Sequence, residues 1–173
     1  MATSALISVR EYLATTYRPD RDYVDGEAQE RNLGERDHGD IQLAVAMMLN
    51  SMRYEWQIHV VPELRVQVSA ERFRVPDICV LSADAPREQV VRQAPLLCIE
   101  ILSPEDTLSR MRDRIHDFIG MGVRQVWLLD PKTRTAIVCD GVTMREQVEG
   151  EITLPGTSVV LDLKKVFSVL DEG

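Results

Sequence analysis

Glu100 stands inside an apolar run that is typical of a buried strand. In the stretch PLLCIEILSPED, residues 95–106, leucine, cysteine and isoleucine flank it on both sides. An unpaired carboxylate in a protein interior costs several kcal/mol. Glu100 therefore needs a cationic partner, a metal ion or a raised pKa, and is a candidate for chemistry.

A second acid, Asp77, has the same setting in the stretch FRVPDICVL. Side chains alternate along a strand, so Asp77 shares a face with Cys79. By the same rule Glu100 shares a face with Cys98. If the two strands pair, the two carboxylates converge. Pro76 cannot donate a ladder hydrogen bond, which indicates a bulge or a sheet edge that re-aims the neighbouring side chain.

Two neighbouring carboxylates repel each other and raise one pKa, unless a divalent cation lies between them. Oxygen ligands of this kind suit Mg²⁺ or Mn²⁺. A magnesium site usually combines one or two protein carboxylates with waters and substrate phosphate. The pair Asp77 and Glu100 therefore indicates a metal site for phosphodiester hydrolysis.

A plainer interpretation of the two acids stays open. Each could form a salt bridge with an arginine, and Arg65, Arg72 and Arg74 are close in sequence. For one acid in one strand this interpretation would be favoured. Two such acids on successive strands favour a functional site.

The elements that must position these acids follow from periodicity. ISVREYLATTY predicts a short helix, and Asp25-Gly26 predicts a turn between extended segments. A second helix is expected from about residue 38 to 52, capped by Asp37 with Asp40 three residues on. Its apolar stripe is Ile41, Val45, Met48 and Met52.

Strands are expected at QIHVV, ELRVQVS, FRVPDICVL and LLCIEIL, and later at RQVWLLD, RTAIVCD and EITL. Between the two groups lies a helix at residues 107–121, capped by Ser103 or Asp106 and ended by Gly122. Its predicted buried stripe is Leu108, Met111, Ile115, Phe118 and Ile119. Asp140-Gly141 indicates a hairpin, and LDLKKVFSVL a closing helix. The predicted fold class is mixed α+β, with a central sheet in one domain over residues 1–173.

Composition limits the function classes. The 173 residues include three cysteines, Cys79, Cys98 and Cys139, all in apolar runs without a CxxC pair. Buried thiols in a reducing, cytoplasmic compartment are expected, and neither disulfides nor a zinc site. No apolar run approaches the roughly 20 residues that span a bilayer. The net charge of −8 weighs against a constitutive nucleic-acid binder, although a metal could neutralise an acidic site.

Three stretches together resemble a known family. VPDICVL, APLLCIEILSPED and GVRQVWLLDPKTRTAIV are similar to the Uma-two family of restriction-endonuclease-like proteins, within the PD-(D/E)XK nuclease superfamily. SVREYLATTYRPDRDYVDGEAQERNLGERDHGDIQ matches that family's N-terminal pattern, so the resemblance covers about residues 8–138. It implies a restriction-endonuclease-like core, a central mixed sheet flanked by helices, with acids on two adjacent strands.

The resemblance also implies site residues. Asp77 matches the aspartate of the PD element, and Glu100 the acid of the (D/E)XK element. Leu102 stands where that element has its lysine; members of the family commonly place a lysine on the following helix instead, where this chain has Arg114. Glu27 and His38 match a glutamate and a histidine of the family pattern. The alternative for Glu27 is a surface acid of a hairpin, and the alternative for His38 is an ordinary histidine at a helix start. For Arg114 the alternative is a solvated helix charge.

The resulting hypothesis is a Mg²⁺- or Mn²⁺-dependent endonuclease that acts on nucleic acid, DNA foremost, and forms a homodimer, as duplex cutting favours symmetric dimers. The alternative is a catalytically weak relative that serves as a binding or assembly module. The acidic charge and the missing lysine favour that alternative. Serine or cysteine hydrolases are disfavoured because GxSxG is absent and the cysteines are expected to be buried.

Overall fold

The structure, a computed structural model, describes residues 6–32 and 34–172. Its helices are α1 (Val9–Ala14), α2 (Arg36–Ser51), α3 (Leu108–Met121) and α4 (Leu163–Ser168), and a 3-10 turn follows at Val169–Asp171. Its strands are β1 (Asp22–Val24), β2 (Glu27–Gln29), β3 (Ile58–Pro62), β4 (Val66–Ser69), β5 (Arg72–Arg74), β6 (Ile78–Ser82), β7 (Leu97–Ile101), β8 (Gln125–Asp130), β9 (Thr135–Cys139), β10 (Met144–Gln147), β11 (Glu151–Thr153) and β12 (Val160–Asp162).

A six-stranded mixed sheet forms the centre, in the order β10-β9-β8-β7-β6-β3. Strands β7 and β8 are parallel, and their connection contains α3. The other neighbours in this sheet are antiparallel. The predicted fold class is confirmed: a mixed α+β arrangement with a central mixed sheet flanked by helices.

The two faces of the central sheet bury different helices, because successive strand residues point to opposite sides. One face, which includes Ile78 and Ile99, packs with α2 and α4. The other, which includes Cys79 and Cys98, packs against α3. Cys139 is buried too and all three thiols are free, as expected.

A second sheet has the order β2-β1-β5-β4, and β11 and β12 form a separate pair. The chain passes from β5 of the second sheet to β6 of the central sheet over residues 75–77. Pro76 therefore falls at a break between sheets, where it removes no ladder hydrogen bond. Asp77 directly precedes the central strand β6.

Several predicted details of the helices are wrong. Helix α2 begins at Arg36 after Glu35, whose side chain makes no capping hydrogen bond, so Asp37 lies in its first turn. Thr107, and neither Ser103 nor Asp106, caps α3 by accepting from the backbone of Arg110.

The buried stripes also differ from the predicted ones. In α2, Leu49 is buried in place of Met48 and Met52, and in α3 Leu108 is 76% exposed. The predicted end of α3 is confirmed, because Gly122 adopts the left-handed conformation there with φ of 111°. In the described part of the chain, no helix is both long enough and apolar enough to cross a bilayer.

Candidate active site

Asp77 and Glu100 lie at the same end of two paired strands. Strands β6 and β7 are antiparallel with Ile78 opposite Ile99, so Asp77 comes next to Glu100 along the pair. Each residue is 4% exposed. Both line one cavity of about 30 Å³, here named the acid cavity, together with Arg31, His38 and Arg114 among others.

Glu100 projects from the α3 side of the sheet, where Arg114 meets it. Arg114 donates from Nε at 3.1 Å and from Nη2 at 2.6 Å, and both bonds end on Oε1 of Glu100. Burial raises the pKa of Glu100 to about 7; Arg114 opposes this shift, and the negative charge of Asp77 adds to it. Glu100 thus gains or loses a proton near neutral pH.

Asp77 is held by three donors. Its Oδ1 accepts from Nη2 of Arg31 at 2.8 Å, and its Oδ2 accepts from the backbone N–H of Ile101 at 2.7 Å. Nε2 of His38 lies 3.2 Å from the same Oδ2. Burial acts to raise the pKa of Asp77, but His38, Arg31 and the Ile101 amide outweigh it and lower the pKa. Burial likewise acts to lower the pKa of His38, and Asp77 outweighs that effect and raises it.

Arg114 is buried, so the alternative of a solvated helix charge is wrong. It is 7% exposed. Besides Glu100 it donates to the backbone carbonyl of Val75 at 2.9 Å and to Oδ2 of Asp22. The position on α3 was read correctly, but the burial of the side chain depends on strand β1, which brings Asp22 over the helix.

The arginines that the sequence offered as salt-bridge partners bind other acids. Their pairs are Arg65 with Asp20, Arg72 with Asp25 and Asp117, and Arg74 with Asp22 and Asp117. The plainer interpretation was thus right that both strand acids pair with arginine, and wrong about which arginines. Arg31 and Arg114 do so, from the loop before α2 and from α3.

The structure brings His38 to the acid cavity and leaves Glu27 outside it. His38 lies in the first turn of α2 and contacts Asp77. Glu27 is exposed on β2, opposite Val24 in the β1–β2 hairpin, and does not line the acid cavity. Glu27 thus lies where its alternative as a surface acid of the hairpin would place it, whereas Asp22 of the same hairpin is buried.

Sequence reasoning missed Asp22 and Arg31, which bond directly to the candidate site residues. Asp22 is 3% exposed and bonds to both Arg74 and Arg114. A signal was present, since Asp22 directly precedes the apolar pair of DYV and so resembles Asp77 at the start of its strand. Arg31 lies in the polar stretch between β2 and α2, where nothing in the spacing distinguishes it from a surface arginine.

The acid cavity fits one divalent cation through its donor chemistry. Oε2 of Glu100 accepts no hydrogen bond from any described residue, and the cavity has room for an ion or a water. Both oxygens of Asp77 accept hydrogen bonds, so a cation there would compete with Arg31. Within residues 6–32 and 34–172, no three His, Cys, Asp or Glu side chains form a metal-ligand group. Water and substrate would therefore supply most ligands, as is usual for Mg²⁺.

Comparison with known proteins gives the following matches. Residues 9–165 match the family model Uma2, described as "Putative restriction endonuclease". A crystal structure of a protein described as a "putative nuclease belonging to DUF820", from Anabaena variabilis ATCC 29413, is 25% identical, with a TM-score of 0.84 over 95% of this chain and 99% of that one. A cryo-EM structure of a DrdV–DNA complex is 14% identical, with a TM-score of 0.45 over 80% of this chain and 11% of that one. No curated protein matches significantly.

Proposed function

The chain belongs to the Uma2 family, and we propose that it hydrolyses phosphodiester bonds of nucleic acid at the acid cavity, with a divalent cation held by Asp77 and Glu100. One observation carries the proposal: two buried carboxylates on neighbouring strands line the same small cavity. The raised pKa of Glu100 supports it, because burial penalises the charged carboxylate and a nearby cation would offset that penalty.

The residues that line the acid cavity have different proposed roles in hydrolysis. A Mg²⁺ or Mn²⁺ held by Asp77 and Glu100 would supply Lewis-acid activation of water and would stabilise charge on the phosphate. Glu100 presents Oε2 to the cavity because Arg114 binds its other oxygen. Arg114 stays protonated at any useful pH, so it orients Glu100 and adds positive charge but is no general base. His38 and Arg31 orient Asp77, and both are placed to stabilise an anionic transition state.

Substrate and assembly are the finer parts of the proposal. The substrate is nucleic acid, DNA foremost, which a nuclease-like family supports. A homodimer is proposed for cleavage of duplexes, because a two-fold axis matches two antiparallel strands. The chain acts as one domain, in a cytoplasmic, reducing compartment that suits three buried free thiols.

A second candidate function is a binding or assembly module without cleavage. The ion pairs favour it, since Arg31 and Arg114 already neutralise the two carboxylates. In addition, no lysine is among the described residues that line the acid cavity. In that case the acids would serve stability, and a metal would not be needed.

A cleavage assay combined with a metal titration separates the two candidates. The purified protein is incubated with single- and double-stranded DNA and with RNA, in Mg²⁺, in Mn²⁺ and with a chelator, while calorimetry measures Mn²⁺ binding. A nuclease cuts at least one substrate only with metal and binds Mn²⁺ through Asp77 and Glu100. A protein that neither cuts nor binds Mn²⁺ is the module.

A further inference from the structure

Arg110, in the first turn of α3, carries a charge that no described carboxylate neutralises. Its Nη1 donates to Oδ1 of Asn32 at 3.1 Å, and its Nη2 donates to the backbone carbonyl of Glu30 at 2.9 Å. Both acceptors are uncharged. The buried arginines nearby differ, since Arg74 and Arg114 both pair with Asp22. Arg110 therefore forms no salt bridge with a described residue, and its guanidinium can pair with an anion.

The side chain of Arg110 is also held in place. Asn32, which accepts from it, donates from Nδ2 to Oδ1 of Asp106 at 2.7 Å. The other oxygen of Asp106 accepts from the backbone of Ser103 at 2.7 Å. Asp106 and Ser103 lie in the loop that follows β7, the strand of Glu100, so these bonds fix Arg110 relative to the acid cavity.

The position of Arg110 on α3 is electrostatically unfavourable without an anion. The N-terminal end of a helix carries a partial positive charge and favours acids, whereas a cation there costs some tenths of a kcal/mol. The first turn of α3 contains no acidic residue. Within this turn no acidic side chain offsets the charge of the guanidinium.

Arg110 lies where the acid cavity meets a second one of about 150 Å³, here named the arginine cavity. Its charged lining consists of Arg72, Arg74, Arg110, Arg114, Asp22 and Asp113. Arg110 and Arg114 line both cavities. Arg72, Arg74 and Arg114 are each paired with acids, so Arg110 supplies the unpaired positive charge of this lining.

A third cavity, which shares lining residues with the acid cavity, is acidic. This larger cavity of about 450 Å³ has a charged lining of Glu35, Asp37, Asp106, Asp130, His38 and Lys132. A phosphodiester chain would be repelled more strongly there than in the arginine cavity, where Asp22 is paired with Arg74 and Arg114. The two cavities thus give the acid cavity one approach that suits a polyanion.

We propose that Arg110 binds a backbone phosphate of the nucleic acid, adjacent to the phosphate in the acid cavity, so that the bound strand crosses the arginine cavity. This inference rests on the proposed function and adds to it the side from which the substrate is held. Phosphate contacts fix the register of a protein on its strand without reading the bases. Arg110 is thus a substrate-binding residue that is independent of base sequence.

The test measures the salt dependence of DNA binding without cleavage. In a Glu100→Gln background, fluorescence anisotropy follows a short DNA duplex from about 50 to about 200 mM salt. Arg110→Ala should reduce the slope of log Kd against log salt by about 0.9, the value for one lost phosphate contact on duplex DNA. Arg110→Lys should keep most of the slope, because it keeps the charge. Arg112→Ala, at an exposed arginine on the same helix that lines neither cavity, is the matched control and should leave the slope unchanged.

The outcomes separate this inference from the proposed function. Suppose that the protein binds DNA and, without the Glu100→Gln change, also cuts it. Equal slopes for Arg110→Ala, Arg112→Ala and the background would then overturn only the role of Arg110. A protein that neither binds nor cuts nucleic acid overturns the proposed function, and the inference with it. Thermal unfolding of each variant shows that a lost slope does not come from a lost fold.

Discussion

Arg114 gives both of its hydrogen bonds with Glu100 to a single carboxylate oxygen, Oε1. A side-by-side arrangement would have engaged both oxygens. The arrangement found leaves Oε2 without a donor among the described residues, in a side chain that lines the acid cavity. The arginine thus stabilises the buried charge of Glu100 and still leaves it able to bind a ligand.

Removal of either carboxylate charge should abolish metal-dependent cleavage. Asp77→Asn and Glu100→Gln keep the shape of the side chain but lose the charge that holds the ion. Loss of an outer-shell partner costs about 10- to 100-fold in activity, so loss of a direct ligand should exceed the upper value. Initial cleavage rates measure the effect, with Glu146→Gln, an exposed acid on β10, as the control. Cleavage that survives both substitutions would place the chemistry elsewhere.

Metal affinity should rise with pH up to about 7. Glu100 has a pKa of about 7, so below that pH a proton occupies the carboxylate and competes with the cation. One displaced proton corresponds to a roughly tenfold change in the apparent Kd for Mn²⁺ per pH unit below the pKa, with a plateau above it. Calorimetric titrations at several pH values measure this dependence. A flat profile would show that Glu100 is no ligand.

Stability without metal should fall as pH rises from about 4.5 to about 7. The pKa of Glu100 is raised from 4.5 to about 7, so in this window the folded state keeps a proton that the unfolded state has lost. The folded state is then favoured at the acidic end, and the loss amounts to about 3 kcal/mol. Urea unfolding at several pH values measures it. Glu100→Gln should show a flatter profile across the same window; an unchanged slope would assign the effect to other groups.

Arg114→Ala should destabilise the fold as well as slow cleavage. The substitution leaves the buried carboxylates of Asp22 and Glu100 without a shared cation, and loss of one partner of a buried pair costs about 3–5 kcal/mol. Arg114→Lys should retain more stability and keep cleavage, because an ammonium can donate to the same acids. Chemical unfolding and cleavage rates are compared across the three proteins. A change below about 0.5 kcal/mol for alanine would indicate a surface charge after all.

Arg31→Gln should strengthen metal binding. Arg31 occupies Oδ1 of Asp77, and its positive charge repels a cation in the acid cavity. Glutamine can still donate one hydrogen bond but adds no charge, so the Kd for Mn²⁺ should fall several-fold. The control is Arg134→Gln, because it breaks an ion pair with Asp171 at the surface. Weaker binding in Arg31→Gln would instead indicate that Arg31 positions Asp77 for the ion.

The sequence by itself determined the fold class and the two central acids. Strand runs can be read from apolar alternation, and a carboxylate within such a run is conspicuous because burial of a charge is costly. Asp77 and Glu100 could therefore be found without coordinates, and strand periodicity relates each to the cysteine two positions away, whereas the pairing of β6 with β7 brings the two acids to one face. The glycine that ends α3 was also readable, since the left-handed conformation favours that residue.

Only the tertiary structure decided which charges meet. Arg31 pairs with Asp77, and Asp22 with Arg114, across 46 and 92 positions of the chain. No local periodicity encodes a contact at such separations, because it depends on how the second sheet and the loop before α2 pack over the central sheet. The same packing buries Arg114, keeps Glu27 at the surface and leaves Oε2 of Glu100 facing the cavity. The two acids could be recognised because they interrupt apolar strand sequences. Their partners lie in polar stretches, where the sequence does not distinguish them from surface residues.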